Sequence, residues 1–188
     1  AKLVDISNVH DFWCAWNHIP KPSQLFYDGH VRKRFANRTV DAFSIFKKNI
    51  KPEWEDPANR TGAEWYIKKQ FPMQQLDDLW LNLALSLVGE TVDTGDEICG
   101  ARVVDKSVGP RCMYRLELWF RKKDMGVANA LLEKTQQVLG KAAAHTKRAN
   151  PNFNGVTPVS LDDALRAHTA DLQVGGSYLA KGNQSTDA

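Results

Sequence analysis

From Arg111 to Phe120 the chain alternates strictly. Cys112, Tyr114, Leu116 and Leu118 fall on one side, and Met113, Arg115, Glu117 and Trp119 on the other. A two-residue period of this kind belongs to a half-buried strand. Ile98 to Val104 reads as a second strand and Lys106 to Pro110 as the turn between them, so 98–104 and 111–120 are expected to pair as an antiparallel hairpin. Residues 64–70 read as a third strand.

Helical spacing fills much of the remainder. Val9, Phe12, Trp13, Trp16 and Ile19 predict a helix over 8–19, with Asn8 as N-cap, Asp11 three residues on and Pro20 as stop. A strongly apolar helix is predicted over 74–88, ending at Val88-Gly89, and a long one over 125–148. Residues 20–51 show no steady period and read as a long connection with a short helix near 41–47. Beyond Pro151, a strand at 153–159, a short helix at 161–168 and a mobile tail at 175–188 are expected. Short antiparallel strands with long helices between them predict an α+β domain, helices on one face of a sheet.

At 188 residues, the chain suits a single domain, assigned to 1–174. A net charge of +3, from 25 basic and 22 acidic residues, argues against a protein that coats nucleic acid through overall charge. Any anion contact must be a local patch, such as Arg32-Lys33-Arg34 with Arg38, which is either a solvated face or a nucleic-acid contact. Cys14, Cys99 and Cys112 are too widely spaced for a zinc knuckle or a disulfide framework, so no metal is expected, and reduced thiols fit cytosol or nucleus. There is no GxGxxG, no P-loop and no paired-histidine motif, which disfavours an enzyme, and no cofactor is expected.

The six tryptophans divide. Trp16, Trp65 and Trp80 sit at core positions. Trp54 lies between Glu53 and Glu55-Asp56 in a proline-bounded loop, and such loops run over the surface. It is either a lid on local core or a platform for a flat cationic heterocycle, with cation–π attraction from the ring and a carboxylate for an N–H edge. Trp119 shares its strand face with Arg115 and Glu117, near Lys106 and Arg111. That charged face is expected to point away from the core, either as solvated β surface or as a site for a stacked base carrying phosphates. On the 74–88 helix, Leu81, Leu85 and Val88 lie opposite the core stripe Leu76, Leu79, Trp80, Leu83 and Leu87. With Val9 and Trp13, Leu81 and Leu85 form either a docking groove or ridge for a short amphipathic partner or a surface covered by the 20–50 connection.

Taken in order, Asp11-Phe12-Trp13 with Trp16-Asn17-His18-Ile19, Pro52-Glu53-Trp54-Glu55-Asp56 with Asn59, Leu76-Asp77-Asp78-Leu79-Trp80-Leu81, Leu87-Val88-Gly89-Glu90 and Cys99-Gly100-Ala101 resemble the eukaryotic translation initiation factor 4E family, from about Val9 to about Gly140. The resemblance implies a curved antiparallel sheet backed by three long helices on its convex face. It implies a monomeric messenger RNA cap-binding protein of the cytoplasm or also the nucleus, without enzymatic activity. Trp54 would stack on 7-methylguanine, Glu55 would hold the guanine edge, Trp119 would lie near the N7-methyl group, and Lys106, Arg111 and Arg115 would meet the phosphates. Val9, Trp13, Leu81 and Leu85 would dock an initiation factor 4G-like scaffold or a 4E-binding repressor. The alternative is an adaptor or translational repressor of the same fold with weak or lost cap binding.

Three departures accompany the resemblance. The family's first stacking tryptophan has no counterpart; it lies before the sequence given, or Phe26, Tyr27 or Phe35 substitutes, or the cap is stacked on one side. The segment 22–42 is longer than the family's connection and basic. Glu64 stands where an arginine is expected, and the late basic contact has only Lys181 and Arg166 as candidates.

Overall fold

The computed structural model describes residues 2–149 apart from 36, 37, 94 and 123; for Phe35, Met125 and residues 141–149 it describes the backbone. The strand at 153–159, the helix at 161–168, the tail, Lys181 and Arg166 lie outside the described residues.

Helix α1 (Val9–His18) begins where the side chains of Asn8 and Asp11 cap each other's turn. Asn8 Oδ1 accepts the Asp11 N–H at 2.9 Å and Asp11 accepts Asn8 Nδ2 at 3.0 Å. It buries Phe12, on which Trp16 stacks at 5.6 Å, and Trp16 packs half-buried against the core. A short helix α2 (Pro22–Leu25) follows. The central helix α3 (Met73–Val88) buries Leu76, Leu79, Trp80, Leu83 and Ala84, and packs against α1, α2 and α4 (Met125–Ala149). Asp124 opens α4 by accepting the Val127 N–H at 3.0 Å.

The main sheet has four strands: β3 (Ala42–Phe46), β4 (Ala63–Lys69), β5 (Ile98–Asp105) and β6 (Tyr114–Phe120), in the order β3-β5-β6-β4 and antiparallel throughout. The expected hairpin is β5–β6, and the expected strand at 64–70 is β4. A separate two-stranded ribbon, β1 (Arg34–Phe35) with β2 (Arg38–Thr39), stands in the basic segment. The result is an α+β fold, an open curved antiparallel sheet with α1, α3 and α4 as its long helices.

Two expectations are corrected. Residues 41–47 form no helix: β3 occupies Ala42–Phe46 and pairs with β5 from Ala42↔Val104 to Phe46↔Gly100. Phe43 and Ile45 pack against the core, and Ala42, Ser44 and Phe46 alternate with them, a period of two that a five-residue window scarcely distinguishes from a helical turn. Phe26 is unavailable as a substitute stacking residue. It is 2% exposed and stacks on Tyr114 at 6.4 Å within the core. Tyr27 likewise packs against the core, its hydroxyl donating to the Gly29 carbonyl at 2.8 Å.

Strand register sorts the sheet residues by face. Trp65, Ile67, Ala101, Val103, Leu116 and Leu118 belong to the core under the helices. On the opposite, concave face run three cross-strand rows: Phe46, Gly100, Trp119 and Glu64; then Ser44, Arg102, Glu117 and Tyr66; then Ala42, Val104, Arg115 and Lys68.

Candidate functional site

The loop carrying Trp54 is held by its own polar residues. Buried Asn59 donates through Nδ2 to the carbonyls of Lys51 at 2.7 Å and Glu53 at 2.8 Å. The Asp56 carboxylate accepts the N–H groups of Lys51 and Ala58, each at 2.9 Å, and these donors hold its pKa below the ordinary value. The loop returns to the sheet at Gly62, where any side chain would collide with the Phe120 carbonyl. With Asn59 and Asp56 turned inward to the backbone, Trp54, Glu53 and Glu55 are left outside.

Trp54 leans onto the sheet. Its ring stacks on Trp119 with centroids 4.0 Å apart and planes 18° from parallel, and Phe46 meets Trp119 edge-on at 5.6 Å. Trp54 remains 42% exposed while Trp119 is 2% exposed. The charged face of β6 is therefore solvated only in part. Trp119 does point away from the core, as alternation predicts, but Trp54 and Phe46 cover it. Gly100 lies opposite Trp119, and a Cβ there would collide with Phe46, so the missing side chain is what lets Phe46 reach the indole.

Beside this aromatic cluster lies a compact ionic network. Glu117, 4% exposed, accepts the Trp119 indole N–H at 2.9 Å and lies 3.2 Å from Arg115 Nε and 3.7 Å from Arg102 Nε. Arg115 also pairs with Glu64 and lies over the Tyr66 ring at 3.8 Å. Burial pushes the Glu64 carboxyl above its ordinary range, and Arg115 offsets this only in part. Arg102 lies 5.6 Å from the centre of the Trp119 ring.

The structure thus brings Trp54 and Trp119 together, with exposed Glu55 next to Trp54 in the loop. Lys106 and Arg111 are exposed at the far end of the β5–β6 hairpin, whereas Arg115 is engaged by two carboxylates. Phe46 and Arg102 were not singled out by the sequence reading. The available signal was the register: once β5 and β6 are paired, Arg102 faces Glu117, and Gly100 leaves a gap that only a neighbouring strand can fill. On the helical side, Val9 is 49% and Trp13 39% exposed, and Leu81 and Leu85 are half-buried.

The described residues thus form a helix-backed antiparallel sheet with two stacked indoles, Trp54 and Trp119, over its concave face. The family profile described as "Eukaryotic initiation factor 4E" matches residues 1–153, and the chain belongs to that family. It is 39% identical over 101 residues to eukaryotic translation initiation factor 4E1 of Drosophila melanogaster, covering 53% of this chain and 34% of that protein. It is 36% identical over 164 residues to allele A of the factor in Solanum tuberosum, covering 87% of this chain and 59% of that protein. The chain therefore spans a third to three-fifths of the length of these curated relatives. Among solved structures, C. elegans eIF4E-3 in complex with the 4E-binding protein Mextli aligns with a TM-score of 0.60 and 31% identity, over 74% of this chain and 73% of that one. Ascaris suum eIF4E-3 with m2,2,7G cap aligns at 0.59 and 29%, over 73% and 70%.

Proposed function

We propose that this chain binds the 7-methylguanosine cap of messenger RNA and recruits a scaffold for translation initiation, with no covalent step. The observation that carries the reading is the exposed Trp54, joined to Glu55, stacked over Trp119 on the concave face. Methylation at N7 makes guanine cationic, so stacking gains a charge term that plain guanine lacks, on the order of 0.5–2 kcal/mol. Glu55 accepts hydrogen bonds from the guanine edge. Lys106 and Arg111 meet the phosphates, and Arg115 adds its charge from the same face. Cap entry exchanges one aromatic partner for another: Trp54 lifts from Trp119 and closes over the base. Val9, Trp13, Leu81 and Leu85 form the docking surface for a 4G-like scaffold or 4E-binding repressor, a reading supported by the Mextli-bound C. elegans relative.

Titration of intrinsic tryptophan fluorescence with 7-methyl-GTP and with GTP tests this. Quenching by 7-methyl-GTP is expected, with GTP weaker by roughly tenfold, equivalent to ~1.4 kcal/mol. Equal responses to the two nucleotides sink the cap assignment. One observation favours a second reading: Trp54 already fills the space over Trp119, which suits an adaptor or repressor that no longer takes a cap. Absence of quenching together with retained scaffold-peptide binding selects that reading.

A further inference from the structure

The basic segment that departs from the family is fixed to one end of the sheet by a buried carboxylate. Asp105, the last residue of β5, is 7% exposed. It accepts the N–H of Tyr27 at 2.9 Å, the N–H of Ser107 at 2.9 Å and Arg32 Nη2 at 2.7 Å. The other guanidinium nitrogen of Arg32 reaches Asp41 at 2.8 Å, and the Asp105 N–H donates to the Asp41 carbonyl at 2.9 Å. A turn at Asp28, whose carboxylate accepts the N–H groups of His30 and Val31, leads into this clasp. Arg32 is thus consumed as an anchor. Among the described residues, the remaining cations, Lys33 just before the β1–β2 ribbon and Arg34 and Arg38 on it, are exposed and form no ion pair.

Position gives the ribbon its meaning. The clasp grips the residue immediately before Lys106, at the opposite end of β5 from Gly100, which faces Trp119. At a strand rise of ~3.3 Å per residue the two ends are about 17 Å apart. A base over Trp119 whose phosphates run toward Lys106 and Arg111 therefore delivers the following nucleotides to the ribbon. We propose that Lys33, Arg34 and Arg38 bind the backbone phosphates of the RNA body immediately downstream of the cap. The inference rests on the cap-binding reading and assigns the basic insertion a ligand of its own. An RNA strand is favoured over an acidic protein because the ribbon joins β3 through Asp41, beside the end of β5 that leads to Lys106 and away from Trp119.

The test compares 7-methyl-GTP, a capped dinucleotide and a capped decamer as ligands, across salt, for the wild type and for the exposed-charge variant K33Q/R34Q/R38Q. The decamer should bind the wild type more tightly than 7-methyl-GTP. Its log–log salt slope should be steeper by about 2, from ~0.7 per phosphate contact. The variant should keep the wild-type affinity for 7-methyl-GTP and lose that extra slope, with an unchanged unfolding temperature. A decamer no tighter than 7-methyl-GTP in the wild type overturns the inference, leaves cap binding standing and returns the ribbon to a protein partner. A variant that loses 7-methyl-GTP binding in proportion overturns it too, because the ribbon then acts at the cap. A wild type that ignores 7-methyl-GTP removes the cap reading and the inference with it. The ligand-length series needs no variant, so a destabilised triple mutant does not stand in the way.

Discussion

Glu117 accepts the indole N–H of Trp119 across 2.9 Å, two positions apart on the same strand face. The ring is therefore fixed from the sheet side by a hydrogen bond and covered from the loop side by Trp54. The first contact is buried and charge-assisted, whereas the second involves a half-exposed loop residue; of the two, Trp54 is the part free to move.

Removing Trp54 should expose Trp119 without unfolding the sheet. For Trp54→Ala we expect greater acrylamide quenching of the remaining tryptophans and a loss of about 0.5–1.5 kcal/mol, the worth of an aromatic pair. Retention on a cap resin should be abolished, as it should for Glu55→Ala. Normal retention by both variants would remove Trp54 and Glu55 from the site.

Gly100 has no room for a methyl group, since a Cβ would press on Phe46 and on the Ile45 carbonyl. Gly100→Ala should cost about 1–3 kcal/mol by overpacking. It should also push Phe46 away from Trp119. Thermal unfolding reads the first effect and near-ultraviolet circular dichroism the second. An unaltered aromatic spectrum would show that Phe46 does not depend on this gap.

The Glu64–Arg115–Glu117 network should respond unequally to its members. Arg115→Met strands two poorly solvated carboxylates and should destabilise by about 2–4 kcal/mol. Glu64→Gln keeps a hydrogen-bond acceptor for Arg115 and relieves both burial cost and repulsion from Glu117, so at neutral pH it should lie within about 1 kcal/mol of wild type. The sign with pH follows from the raised Glu64 carboxyl. A group raised on folding stabilises below its ordinary value, here 4.5, and that contribution is lost as pH rises through the folded value. The wild type should therefore gain on Glu64→Gln as the solution is acidified toward 4.5, as read by urea unfolding at several pH values. A drift in the other direction would mean that the ion pair outweighs burial.

On the helical side, Trp13→Ala removes an exposed indole that packs edge-on against Phe12 at 5.4 Å. Scaffold-peptide affinity should fall by at least ~2 kcal/mol, as for an aromatic anchor. Binding of 7-methyl-GTP should stay as in wild type, because α1 lies behind the sheet. Calorimetry with both ligands separates the two effects, and equal losses would point to misfolding.

The elements legible in the sequence are those with strong periods or capping signals. Asn8 and Asp11 declared the start of α1, and the alternation through Tyr114–Phe120 declared β6. Strand β3 was missed because its identity rests on partners far along the chain, not on its own residues. The direction in which Trp119 points followed from alternation alone. That it is covered did not, since the covering residues come from another strand and from a loop. The engagement of Arg115 was hidden for the same reason, because Glu64 meets it only once β4 and β6 are in register.

The strand order β3-β5-β6-β4 has a consequence for the growing chain. The hairpin β5–β6 closes locally, so Trp119 and its Glu117 bond require only residues 98–120. Phe46 and Trp54 are synthesised earlier, yet they have no surface to rest on until that hairpin exists, and long-range pairing is the slow part of such folding. Seen from the ribosome, the concave face is assembled backwards: the hairpin at its centre emerges last, and the residues made before it wait for it.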